Sequence, residues 1–235
     1  SGVPTPFTVT NHKQLPSEET RASLTGTGGI PSPLNGRYLR SVPNPIGEPD
    51  HASYHWVNGS GMAHGIKRND GKALWYRNRW TRSKDVSKSL GEAPIPGHRN
   101  SAFDTVNTNI IGIGAKTFAL VEAGSCPVEM TDALESVAFN DFNGTLEVTF
   151  SAHPHLAPAT GELHAVCYGA MTTGQVWHVV VDQTAKVIRQ EAIAPSVAPS
   201  ILARHITETH VLVLALRVSH YINTVTDVSH LPYAS

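Results

Sequence analysis

Turn-forming glycines cut this chain into short stretches, and that punctuation most limits the folds open to it. "MAHGIKRNDGKALWYRNRW" reads as strand, Asn-Asp-Gly turn, strand, because Asn-Gly and Asp-Gly pairs reach the left-handed backbone that a tight hairpin needs. "NTNIIGIGAKTFALVEAG" holds two more short strands separated by glycines. "GTLEVTFSAHP" and "ELHAVCYG" read as strands around an "APATGE" turn, and "GQVWHVVVDQTAKVIRQEAIA" as a further hairpin. Only "PVEMTDALESVAFNDF" shows helical potential, enough for a single turn. Short strands at regular spacing predict an all-β sandwich, barrel or propeller. A likeness between the 62–80 and 175–193 hairpins favours the propeller.

The 235 residues suffice for one sizeable core or two small domains. Net charge is −1 and charged residues make up 16%, so no electrostatic case exists for nucleic acid or an anionic membrane as partner. No apolar run approaches the roughly 18 residues of a membrane span. The opening "SGVPTPFTVTNHKQLPSEET" is polar, unlike a signal peptide. A soluble, cytoplasmic protein is the expectation. Cys126 and Cys167 form no C-x-x-C pair and read as small apolar residues. Residues 1–50 are rich in Pro, Gly, Ser and Thr and read as coil with short extended pieces; 51–216 carry the β-pattern; 217–235 lose it.

Two motifs fail on spacing. "GIGAKT" has Ala115 where a phosphate loop needs glycine before Lys116. "NGSGMAHG" surrounds Ser60 with glycines without making the G-x-S-x-G elbow. Thirteen histidines lean toward imidazole chemistry. In "SAHPH", His153 and His155 would share one face of a strand unless Pro154 distorts it. Pattern alone leaves two readings open, solvent-facing strand histidines or ligands of iron, zinc or copper. His55, His64, His164 and His178 read as packing or surface residues.

Four blocks in order resemble the carotenoid cleavage oxygenases, the retinal pigment epithelial membrane protein family. They are "IPSPLNGRYLRSVPNP", "YHWVNGSGMAHGIKRNDGKALWYRNRW", "VEAG" and "FSAHPHLAPATGELHAVCYG". The resemblance runs from about residue 25 to about residue 200 and implies a seven-bladed β-propeller, here about three to four blades. It also implies a helical cap and a non-haem Fe(II) held by four histidines, three of them backed by glutamates. Such enzymes use O₂ to split a carbon–carbon double bond of an apolar polyene, a carotenoid or apocarotenoid, or of a stilbene. By that resemblance His153 is an iron ligand, His155 a bystander, and Glu122 a glutamate that accepts the N–H of a ligand histidine. The stilbene-cleaving members carry lysine before that glutamate; Val121 here tilts the substrate toward carotenoids. Ser41 and Val42 replace an Asn-Gly of the family and are expected to alter a turn. Near "HITETHVLVL", where the family has its second histidine, Leu202 stands at the matched position, with His205 and His210 displaced. The alternative reading is a non-catalytic remnant or apolar-ligand module without a complete iron site. Open sheet edges would offer either version a route to self-association.

Overall fold

The computed structural model describes residues 13–22, 24–50, 54–99, 103–169, 175–193, 200–206 and 211–216. Strands β1 (Glu19–Ala22), β2 (Gly36–Pro43), β3 (Gly61–Asn69) and β4 (Lys72–Trp80) form an antiparallel sheet in the order β1-β4-β3-β2. Strands β5 (Asn109–Ile113), β6 (Lys116–Leu120), β7 (Val128–Met130) and β8 (Ser136–Phe139) form a second, in chain order. The third runs β9 (His155–Leu156), β10 (Leu163–Tyr168), β11 (Val176–Val181), β12 (Val187–Ile193). A two-stranded sheet, β13 (Ser200–Ile206) with β14 (Val211–Leu216), follows. Three four-stranded up-and-down sheets and a fourth begun are blades of a β-propeller, as the rhythm of turns predicted.

Blades stack face to face, so an inner blade must be apolar on both sides. β6 shows how the sequence achieves this. Phe118 and Leu120 enter a core shared with Leu163, Cys167 and Val179 of the third blade. Ala119, pointing the other way, enters a core shared with Ala63 and Leu39 of the first. Phe142 centres the larger core, edge-on to Phe118 at 5.5 Å and to Phe150 at 5.0 Å between ring centroids. The cysteines are buried in separate cores, Cys126 with the first and second blades and Cys167 with the second and third. The β5–β6 turn meets the third blade so closely that a Cβ on Gly114 would lie 2.2 Å from the Gln183 carbonyl oxygen.

The Asn-Asp-Gly turn joins β3 to β4 as expected, with φ of 46° at Asp70 and 70° at Gly71. Other expectations are corrected. Residues 127–142 form β7 and β8 rather than a helical turn: Thr131 N–H bonds the Glu135 carbonyl, and Leu134 takes φ 67° to reverse the chain. The helix lies elsewhere, at α1 (Lys84–Leu90). Ser83 caps it by accepting the Val86 N–H, and Gly91 closes it in the left-handed conformation. "GTLEVTFSAHP" is no strand. Its polar groups bond outside any ladder, Glu147 N–H to Gln190 Oε1 and Thr149 Oγ1 to the Tyr168 carbonyl. Ser41 and Val42 make no turn, since they pair in β2 with Ala63 and Met62. The two resembling hairpins are not equivalent. β3–β4 fills the two central positions of its sheet, whereas β11–β12 takes an edge position and the one beside it.

Candidate metal-ligand site

Glu122 stands two residues beyond the end of β6, in the turn that carries Ala123 at φ 52°. Its Oε2 accepts two hydrogen bonds from the segment before β9, from Ser151 Oγ at 3.1 Å and from the Ala152 N–H at 2.9 Å. At the other end of the same residue, Asn109 Nδ2 donates to the Ala152 carbonyl at 2.8 Å. Ser151 Oγ also accepts the His153 N–H at 3.2 Å. Ser151 and Ala152 are buried. Glu122 and Asn109, one at each end of the β5–β6 hairpin, therefore hold the backbone that leads into His153. A carboxylate accepting a hydroxyl and an amide makes charge-assisted bonds, stronger than neutral ones.

This anchoring leaves the His153 side chain exposed, projecting from a pinned loop. His155 differs: it lies in β9, half-buried, opposite His164. The two do not share a strand face, because His153 precedes the strand and Pro154 lies between them. The symmetry that spacing suggested is broken by the local fold. Among the described residues, no group of three or more His, Cys, Asp and Glu side chains is arranged to hold a metal ion. His153 supplies one imidazole, which is not by itself the four-histidine centre the sequence resemblance implies. Leu202 and His205 belong to β13; His210 and the tail from 217 lie outside the described residues.

Val121, beside Glu122, is half-buried and packs against the core between the first two blades. It offers that turn no ammonium. Sequence reasoning picked out Glu122 but not its partners. Asn109 and Ser151 had no visible signal, since their roles depend on which strand ends the fold brings together. Among the described residues no helix is long and apolar enough to cross a membrane.

Residues 13–231 match the retinal pigment epithelial membrane protein family. A carotenoid cleavage oxygenase of Mycobacterium tuberculosis is 41% identical over 207 residues, which cover 86% of this chain and 41% of that protein. Resveratrol cleavage oxygenase 1 of Aspergillus fumigatus is 32% identical over 159 residues, covering 63% and 31%. The crystal structure of the Pseudomonas brassicacearum lignostilbene dioxygenase superposes with a TM-score of 0.74 at 23% identity. That match covers 95% of this chain and 50% of the other. The chain thus spans about two fifths of the length of the mycobacterial relative.

Proposed function

Because this chain belongs to the retinal pigment epithelial membrane protein family, we propose that it serves an Fe(II)- and O₂-dependent cleavage of a carbon–carbon double bond in a carotenoid or apocarotenoid. Each carbon of the broken bond would take one oxygen atom of O₂, giving two carbonyl products. The observation that carries the reading is the bracing of His153. A ligand histidine needs a backbone that does not yield when the ion pulls on it. Here a carboxylate and an amide grip the N–H and the carbonyl of the preceding residue, Ala152. His153 is the iron ligand this part of the protein supplies, and Glu122 is the residue that positions it. The similarity to a carotenoid cleavage oxygenase at 41% identity, and the apolar Val121 beside Glu122, favour the polyene over the stilbene.

The test is anaerobic Fe(II) loading, followed by O₂ uptake and product analysis with an apocarotenal and, separately, with resveratrol. Uptake with the apocarotenal, matched by two carbonyl fragments, is expected. His153→Ala should lower iron content and uptake together, and Glu122→Gln should weaken iron retention about 10–100-fold. Sub-stoichiometric iron with no O₂ uptake would overturn the catalytic reading in favour of an apolar-ligand binding module.

A further inference from the structure

The third blade holds a second group of imidazoles away from the Glu122–Ser151 anchor. The register places His155 of β9 opposite His164 of β10. His164 stands opposite Val180 of β11, and Val166 opposite His178. His178 is in turn opposite Glu191 of β12. Directly paired residues share a face and so do residues two apart, so His155, His164, His178 and Glu191 lie on one face of the blade. Each of its four strands contributes one. The opposite face carries Ala165, Cys167 and Val179 into the apolar core. Arg189, opposite Val180, is the cation on the imidazole face, with its Nε 3.8 Å from Glu191 Oε1.

His164 Nδ1 and His178 Nε2 face each other at 3.1 Å, with ring planes 24° apart. On the far side of His164, Nε2 lies 3.6 Å from Glu162 Oε2. A carboxylate there favours the tautomer with its proton on Nε2, which leaves the Nδ1 lone pair directed at His178. Burial, and then His164 and Arg189, push the His178 ring below the ordinary histidine range. Without a metal, the pair is bridged by a proton. An ion with bonds of about 2.05 Å to two nitrogens sets them roughly 2.9–3.3 Å apart as its angle opens from square to tetrahedral. The observed separation lies inside that interval. Turning each lone pair about 35–45° off the N···N line would convert the proton bridge into a two-point cation site.

We propose that His164 Nδ1 and His178 Nε2 form a divalent transition-metal site on the third blade, distinct from His153, that takes Cu(II) or Zn(II) with water completing the shell. Imidazole pairs select such ions, with Cu(II) the tightest of the first-row divalent series. Glu162 sets the tautomer of His164. The consequence for iron loading is direct: metal bound to this protein is not all metal bound at His153.

The chelator-stripped protein is titrated with Cu(II) under calorimetry and electron paramagnetic resonance. The expected result is a site whose spectrum shows two imidazole nitrogens. His164→Gln and His178→Gln should each weaken it at least about tenfold, and Glu162→Gln should weaken it less. His153→Ala should leave it unchanged, while lowering iron uptake if the proposed oxygenase site holds. Circular dichroism confirms that each variant is folded. Equal Cu(II) binding by a folded His164→Gln/His178→Gln double variant would overturn the site, as would no Cu(II) bound by wild type at millimolar metal. Either result would leave a proton-bridged pair only.

Discussion

At the scale of single residues, the sharpest electrostatic demand falls on His64. It sits on β3 with Nδ1 2.9 Å from the Tyr76 hydroxyl, and its Nε2 is buried with no hydrogen-bond partner among the described residues. Burial, and then the neighbouring Arg40 guanidinium, push its pKa down to about 4. The unfolded chain takes up this proton as pH falls through about 6.5, whereas the folded protein resists until about 4. The stability supplied by a neutral His64 is therefore fully present above pH 6.5 and is lost as the pH drops through that window. Solvent screening of a partly exposed ring reduces the effect to about 1–2 kcal/mol. Urea unfolding at pH 7 and pH 4.5 measures it: His64→Gln should lose less stability on acidification than wild type. Equal losses would mean the ring titrates normally.

At the scale of elements, α1 is worth comparing with the segment that sequence pattern favoured for helix. "PVEMTDALESVAFNDF" contains good helix formers, yet Val128, Met130 and Phe139 are needed as the alternating apolar face of an outer hairpin, and tertiary packing overrides propensity. In "RSKDVSKSLGE" Ser83 caps and Gly91 stops a helix of only seven residues, too short for periodicity to declare. Ser83→Ala should cost about 1 kcal/mol by removing the acceptor for the Val86 N–H. Thermal melts of wild type, Ser83→Ala and Ser83→Asp test this, with Asp retaining most of the stability. If all three melt together, the cap contributes nothing. The hairpins were legible because Asn-Asp-Gly and Gly-Ala-Lys fix local turns. The loop before β9 was not, since residues 144–154 alternate like a strand and their actual partners, Tyr168 and Gln190, are distant in sequence. This reaches the site: His153 and His155 would share a face only in a strand running through Pro154, and β9 starts at His155.

At the scale of the whole molecule, the first blade is closed by a segment that arrives before any of its other strands. β1 adds to the outer edge of β4, so residues about sixty apart in sequence must meet. Such closure costs loop entropy, and the ion pairs of Arg82 help to offset it. Its guanidinium bonds both carboxylate oxygens of Glu18, just before β1. It also reaches both oxygens of Glu92, beyond α1, at 2.7 and 3.0 Å. Glu18 Oε1 accepts the Trp80 N–H at 2.8 Å as well, tying that carboxylate to the end of β4. Burial works against the charge on Arg82, but the two carboxylates outweigh it and hold the guanidinium more firmly protonated than usual. Arg82→Met keeps most of the side-chain volume and removes both pairs. Because the two glutamates regain some solvent, the expected loss is about 2–3 kcal/mol, below that of a fully buried pair. The location of the damage matters more than its size. Amide exchange should accelerate across β1, and Glu18→Gln should reproduce that local opening while Glu92→Gln does not. If Glu92→Gln accounts for the whole loss and β1 stays protected, Arg82 anchors the helix alone. The closure of the blade must then rest on the ladder and on Asn78, whose amide bonds the Ser17 carbonyl.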